Sequence, residues 1–437
     1  MSAPAVAALR SFGAQVRADS LVRNSFFLMA TTALGAASGF VFWLLVARLY
    51  PVEQVGQATS LLSAVTLLSY FSLLGMSSSL VRHLPTTRHR AEHVGTALTT
   101  VVLTGVLVAT GFLLLLPWIA PKLSFVRASP VEIGVFVVLA TGAALNLLTD
   151  SVFVALRAAK YNLLINGVLM SAVKLVFPVL LVATGAIGIF MASGVASTVA
   201  AVVSVIAIRR RLHLRLRPGI SAAVLRETVG YSLGSYVSSC LNLVPLLVIP
   251  LLLLEKLGAV AAATYFVAFQ IANLINAGAF AVGEALFAEG SHEDGRFGHL
   301  TRRSAVVTLA VVTPAVAVVV LLAQPVLAVF GSRYAVDGRD TLIVLALSAF
   351  PVAFNTWTSF LLKITRQLVA LTVSNVVYAA GTVLLVVVGV AHGPVWVAAA
   401  WGGGNLLSGV AAAIALVARR RARPPATADA APVGSSA

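Results

Sequence analysis

The sequence predicts an all-α integral membrane protein with about 12 transmembrane helices in two six-helix lobes, and three observations support this. First, 59% of the 437 residues are hydrophobic and only 10% are charged, against roughly 25% charged in an ordinary soluble domain. Second, apolar stretches of about 20 residues, the length that crosses a bilayer as a helix, recur along the chain. Third, the basic residues fall in short runs between these stretches, on alternate sides.

The apolar stretches predict the individual membrane spans. The weakest division lies in the long run 163–208, which carries one charge, Lys174; we divide it at residues 184–188, where two glycines permit a tight turn. The predicted spans are 25–48, 57–80, 93–118, 132–156, 162–183, 187–208, 229–254, 262–285, 304–330, 340–362, 367–390 and 395–418.

The charge distribution orients these spans and limits the binding partners. The formal net charge is +16, but a nucleic-acid-binding protein gathers its basic residues into one patch on a polar domain, so we expect no nucleic-acid partner. Of the 30 Lys and Arg residues, 23 fall on one side of a twelve-span topology, 6 on the other, and Lys174 lies inside. Because basic loops stay in the cytoplasm, we expect a multi-pass protein of a bacterial cell membrane with both termini cytoplasmic.

The charged connections also divide the chain into segments. We expect a cytoplasmic N-terminal segment (1–22) able to form an interfacial helix, an N-lobe (23–208), a basic cytoplasmic linker (209–228), a C-lobe (229–418), and a basic, then disordered tail (419–437). The lobes align weakly at an offset of 202 residues, which places Gly56 on Gly258. Two such lobes related by an axis along the membrane normal are common in transporters.

Ionisable groups at membrane depth are the candidate functional residues, because each is costly there unless it is paired or faces water. Lys174 lies near the middle of span 5 and Asp150 lies in the inner half of span 4. One interpretation is a structural ion pair between these two residues. The other is that Lys174 faces a water-filled cavity and binds an anionic group of a substrate.

Three further charged residues lie at the ends of spans and are weaker candidates. Arg48 ends span 1, Arg82 ends span 2 and Glu284 ends span 8. Each is a candidate to line a cavity, and each could instead extend its side chain to the membrane interface. No HExxH or Walker motif is present, so we expect neither an enzyme nor a bound cofactor.

Two stretches carry a family resemblance. Residues 41–85 (VFWLLVARLYPVEQVGQATSLLSAVTLLSYFSLLGMSSSLVRHLP) place Arg48, Pro51, Gly56, Gly75 and Arg82 at the spacing seen in polysaccharide exporters of the multidrug/oligosaccharidyl-lipid/polysaccharide (MOP) flippase superfamily. Residues 147–181 (LLTDSVFVALRAAKYNLLINGVLMSAVKLVFPVLL) are similar to spans 4 and 5 of that family. The chain lacks two C-terminal spans of the fourteen-span lipid II flippases.

The resemblance implies a MATE-like fold and a function. It implies that the protein flips a polyprenyl-diphosphate-linked oligosaccharide to the outer leaflet for cell-surface polysaccharide assembly. Its partners would be that lipid-linked oligosaccharide, membrane lipids and glycan-assembly proteins, and H⁺ or Na⁺ could be the coupling ion. The diphosphate is anionic, so Lys174, and after it Arg48 and Arg82, could supply the positive charge of the cavity.

The sequence is compatible with two other functions. A multidrug or cation antiporter of the same superfamily would need an acidic residue in its cavity, and Asp150 is the one acidic residue well inside the membrane. A membrane-embedded glycosyltransferase or polysaccharide polymerase would carry a sizeable loop domain with acidic or Arg/His motifs. No predicted connection exceeds about 20 residues, which is short for such a domain.

Overall fold

The computed structural model describes residues 20–290 and 297–422, and nearly all of them are helical. The helices of the N-lobe are α1 Ser20–Leu49, α2 Val52–Ser72, α3 Met76–His83, α4 Arg90–Ile119, α5 Pro130–Ala155, α6 Ala159–Asn162, α7 Met170–Leu180 and α8 Ala186–Arg211. The helices of the C-lobe are α9 Ala222–Leu257, α10 Ala259–Gly290, α11 Phe297–Leu321, α12 Ala323–Ala328, α13 Ser332–Asp337, α14 Arg339–Leu347, α15 Ala349–Ile364, α16 Leu368–Gly389 and α17 Pro394–Ala422.

The predicted number of spans is confirmed. Within the described ranges, 11 helical segments are long and apolar enough to cross a membrane, and the bent pair α2 and α3 makes up to 12. This bend, of 51°, divides span 2. Leu74 and Gly75 both adopt positive φ there, at 45° and 78°. A leucine pays a steric cost in this conformation, which glycine avoids.

Span 5 is irregular, and its end agrees with the predicted turn. A π-helix, Leu163–Leu169, joins α6 to α7. The chain then turns at Gly185, whose φ of 63° suits glycine, and α8 starts at the next residue. The prolines Pro178, Pro245 and Pro314 lie inside continuous helices. Neighbouring groups in a packed bundle can satisfy the backbone carbonyls that a proline leaves free.

Part of the predicted linker 209–228 is helical. Helix α8 continues to Arg211 and α9 starts at Ala222, so residues 212–221 form a non-helical connection. The predicted interfacial helix (1–22) lies largely outside the described residues, and so does the tail after Ala422.

The continuous hydrophobic core that the two lobes share lies on one side of the membrane. We call the side of the arginine-rich linker the basic side, and the other the opposite side. On the opposite side, one continuous core contains residues of both lobes, such as Val46, Leu61, Ala262 and Leu327. Toward the basic side the buried residues separate into an N-lobe cluster around Leu148 and C-lobe clusters around Val312 and Phe360. The continuous core shared by the lobes therefore lies toward the opposite side, and on the basic side a polar contact joins α9 to α3, from Thr228 Oγ1 to Ser79 Oγ at 2.9 Å.

Candidate functional site

The lobes meet most closely where α2 and α10 begin. A Cβ atom added to Gly56 would lie 1.8 Å from the carbonyl oxygen of Ala259 and 2.6 Å from its carbonyl carbon. Glycine is therefore required for this backbone-to-backbone approach. The 202-residue offset pairs position 56 with 258, so these two pseudo-equivalent helix starts lie beside each other, as expected around an axis along the membrane normal. Nearby, Ser60 Oγ lies 2.9 Å from the carbonyl oxygen of Pro250 in the C-lobe.

Polar contacts join the lobes around this approach. Arg48 donates from Nε to the carbonyl of Val329 at 2.8 Å, and Lys122 Nζ donates to the carbonyls of Leu254 and Glu255, each at 2.9 Å. Both cations thus lie beside carbonyls at the C-terminal ends of C-lobe helices α12 and α9, where the helix dipole favours positive charge. These contacts hold the opposite side closed.

An ion pair completes this closed side. Arg333 Nη1 of the C-lobe lies 2.7 Å from Glu53 Oε1 of the N-lobe, and both side chains are about half exposed (52% and 50%). A hydrogen bond from the backbone N–H of Glu53 itself and one from Arg333 lower the pKa of the Glu53 carboxyl below its ordinary value of 4.5. The pair is therefore intact at neutral pH.

We expect acid to weaken this closure slightly. Because the pKa of Glu53 is lowered in the closed state, the stabilisation is present above about pH 4.5 and is lost as the pH falls through the lowered value. Exposed pairs contribute less than about 1 kcal/mol, so Glu53→Gln should shift the closed population by less than about fivefold at pH 7.

Spin labels at the exposed residues Val131 and Val336, in a Cys240→Ser background, would report the lobe separation. If the double variant Glu53→Gln, Arg333→Gln shows the same shift in the closed population at pH 7 as Glu53→Gln alone, the two residues act as one pair. If the shifts of the two single variants add in the double variant, the pair does not control closure.

Lys174 lies just beneath this closed region. Its Nζ is 4.7 Å from the centre of the Phe42 ring, a cation–π geometry, and the side chain is half-buried. Phe42 packs edge-on against Trp43, and Trp43 packs against Phe266 of the C-lobe at 4.5 Å. The rings of Phe42 and Trp43 thus connect the lysine to the contact with the C-lobe.

The ion pair between Asp150 and Lys174 is absent. Across the described ranges, no carboxylate lies within 4 Å of the Lys174 ammonium. Asp150 lies five residues from the basic-side end of α5, whereas Lys174 lies fifteen residues from the basic-side start of α6. At 1.5 Å per residue, the two differ in depth by about 15 Å. The sequence proximity of the two spans was misleading because it carries no depth information. The structural ion pair is therefore the wrong interpretation of the two.

Asp150 instead belongs to a small polar cluster between α5 and span 5. Asn166 Nδ2 donates to Asp150 Oδ1, and it also lies 2.6 Å from Asn162 Oδ1. Asn166 is part of the π-helix, which places it toward α5. This cluster offers carboxylate and amide oxygens, the ligands that hard cations prefer.

The weaker candidates lie apart from Lys174. Arg48 is at the lobe contact on the opposite side, as described above. Arg82 is exposed on α3. Glu284 is exposed near the end of α10 and lies near Lys363. The structure therefore does not bring the five candidate residues into one cluster, and a role for any of them in substrate contact remains a prediction.

Sequence reasoning missed the lobe contact made by Glu53, Gly56, Lys122 and Arg333. A signal for it was present. Basic residues are rare outside the cytoplasmic side of a membrane protein, and three of the six on the opposite side, Arg48, Lys122 and Arg333, contact the other lobe. A polar contact between two asparagines of the C-lobe, Asn355 Nδ2 to Asn405 Oδ1 at 3.0 Å, follows the expected role of asparagine in joining helices.

The fold and the two lobes define the class of protein. The chain is similar to an inward-facing multidrug resistance MATE family transporter of the MOP superfamily, with a TM-score of 0.68 at 15% identity over 90% of this chain and 98% of that one. It is also similar to the lipid II flippase MurJ in its inward closed conformation, with a TM-score of 0.69 at 15% identity over 90% and 87%. The protein is a multi-pass membrane protein with the fold of these transporters.

The sequence itself places the protein more closely. Residues 21–287, more than half of the chain, match the model of one family. The chain belongs to the polysaccharide biosynthesis protein family. A search among curated proteins found no match.

Proposed function

We propose that this protein flips a polyprenyl-diphosphate-linked oligosaccharide from the cytoplasmic to the outer leaflet of a bacterial cell membrane, by alternating access of its two lobes. The observation that carries the proposal is the Lys174 ammonium, which has no carboxylate within 4 Å among the described residues and lies over Phe42, whose neighbour Trp43 contacts the C-lobe. An unpaired cation at membrane depth is costly, and an anionic ligand would offset that cost.

The family and the fold support the same conclusion. The family match connects the chain to polysaccharide biosynthesis, and the fold is shared by a flippase and by multidrug transporters. With the basic side cytoplasmic, the separate clusters of the two lobes lie toward the leaflet in which such a substrate would be loaded, and their shared core lies toward the other leaflet. Membrane lipids and glycan-assembly proteins would be its other partners, and the chemistry requires no cofactor.

Reconstitution in proteoliposomes tests the proposal. The probe is a short-chain polyprenyl diphosphate that carries a fluorescent sugar, and its transfer between leaflets is followed by quenching from outside. We expect the protein to accelerate transfer of the diphosphate probe. It should leave a matched probe without the diphosphate, in which the sugar is joined directly to the polyprenol, at the rate of protein-free vesicles. Equal acceleration of both probes, or transport of a cationic dye alone, would contradict the proposal and favour an antiporter.

The Asp150 cluster is our candidate for the coupling-ion site. A carboxylate with two neighbouring amides could bind H⁺ or Na⁺. In the same vesicles, we expect Asp150→Asn to transfer the probe at a rate that no longer responds to an imposed pH or Na⁺ gradient. Asn355→Ala, which also removes a polar group from a membrane-spanning helix, should keep the gradient response. A full response in Asp150→Asn would exclude this site.

A further inference from the structure

The linker between the lobes lies along the outside of the N-lobe. Residues 212–217 are non-helical, with half-buried leucines alternating with exposed His213, Arg215 and Arg217. Two hydrogen bonds attach the following residues to α4: Gly219 N–H to Thr99 Oγ1 and Ser221 N–H to Thr96 Oγ1, each at 3.2 Å. The linker therefore has a fixed path on the basic side of the N-lobe.

The linker forms the wall of two adjoining cavities. The first has a volume of 620 Å³ and is lined by Arg209, Arg210, Arg215 and Arg217 with three aliphatic side chains.

 The second cavity, of 410 Å³, adjoins it: Arg209 and Arg217 lie at its edge, and its walls are formed largely by apolar side chains of α4, α5 and α8, including Val102, Leu103, Leu145 and Val205. A cationic rim thus lies directly above an apolar groove.

The charges at this rim are uncompensated. No acidic side chain lines either cavity, and none of the four arginines forms an ion pair with a carboxylate of the described residues. Glu92 is the acidic group of the neighbouring space on the α4 side, which Arg215 and Arg217 also line. Four arginines without acidic partners, beside a groove at membrane depth, match a ligand with a phosphate at one end and hydrocarbon at the other.

We infer that this rim and groove bind an anionic phospholipid from the leaflet next to the basic side. The phosphate would lie between Arg209 and Arg217, and an acyl chain would lie along Val102 and Val205. The groove is formed by α4, α5 and α8, whereas the space between the lobes is bordered by α2, α9 and α10. The occupant is therefore a resident lipid and not the transported substrate.

Such a lipid would act on the connection between the lobes. Its phosphate would contact Arg217 in the linker, and Ser221 immediately precedes α9, the first helix of the C-lobe. A bound lipid would hold the linker against α4 and so limit the movement of α9. This inference does not depend on the identity of the transported substrate.

Native mass spectrometry of the purified full-length protein tests the inference. The probes are phosphatidylglycerol and phosphatidylcholine with identical acyl chains, and the variant is Arg209→Gln combined with Arg217→Gln. The wild type should retain phosphatidylglycerol in preference to phosphatidylcholine. Because each arginine near an anionic lipid contributes about a factor of five, the double variant should bind phosphatidylglycerol about 30-fold more weakly.

A matched control removes the same charge from the C-lobe. Arg302→Gln combined with Arg366→Gln changes two exposed arginines and should alter phosphatidylglycerol binding by less than about twofold, the effect of bulk charge alone. Equal retention of the two lipids by the wild type, or equal losses in both double variants, would overturn the inference. So would displacement of the lipid by millimolar inorganic phosphate, because that result would identify a site for free phosphate without a contribution from the groove.

Discussion

Replacing Lys174 with alanine should abolish export of the surface glycan while the amount of protein in the membrane stays normal. A hydrogen bond to a charged group contributes about 1.5–3 kcal/mol, so loss of the ammonium should slow transfer of the diphosphate probe by roughly 10- to 150-fold. Lys174→Arg keeps the charge and should retain part of the activity. Surface glycan in cells and probe transfer in proteoliposomes are the two measurements.

Lys363 provides a matched control for this experiment. Its Nζ lies 4.4 Å from the centre of the Phe360 ring, so it shares the cation–π contact of Lys174 but lies in the C-lobe, far from the lobe contact. Lys363→Ala should therefore leave export within about twofold of the wild type, as expected for a side chain near a helix end. Wild-type export by a normally inserted Lys174→Ala protein would show that this lysine does not contact the substrate.

Replacing Gly56 with alanine should open the opposite side. The added Cβ would overlap the backbone of Ala259, and no side-chain rotation can relieve that overlap. Overpacking costs about 1–3 kcal/mol, so the closed state should lose roughly 5- to 150-fold in population relative to states with separated lobes. Spin labels at Val131 and Val336 should report a longer distance, and flipping should slow because the closed state is part of the cycle.

The control for this substitution is another glycine in a membrane-spanning helix. A Cβ added to Gly111 of α4 meets no atom within 4 Å, so Gly111→Ala should leave both the label distance and the flipping rate unchanged. An unchanged label distance in Gly56→Ala would show that the approach of α2 and α10 does not control closure.

Much of the fold could be predicted because it depends on one-dimensional properties. The bilayer requires apolar stretches of a minimum length, and the basic residues orient them. The predicted turn between spans 5 and 6 coincides with Gly185 for a local reason, since glycine tolerates a positive φ. The bend after α2 was not predicted, because Leu73 and Leu74 continue an apolar stretch and give no sign of a break.

The candidate site was predicted only in part. Lys174 could be recognised because a charge at membrane depth stands out against apolar neighbours. Its contact with Phe42 could not be predicted, because hydropathy gives neither the depth at which neighbouring spans overlap nor the face on which a side chain lies. Arg48 shows the same limit: its partner, Val329, is 281 residues away along the chain.

The sequence by itself determined the membrane-spanning helices, their number and the division into two lobes, because length, hydropathy and charge act locally along the chain. Only the tertiary structure decided that the lobes close on the opposite side through Gly56 and Ala259. It also decided that Lys174 lies over Phe42 and away from Asp150. Contacts between lobes depend on which helix faces meet and at what depth, and these are properties of the packed structure.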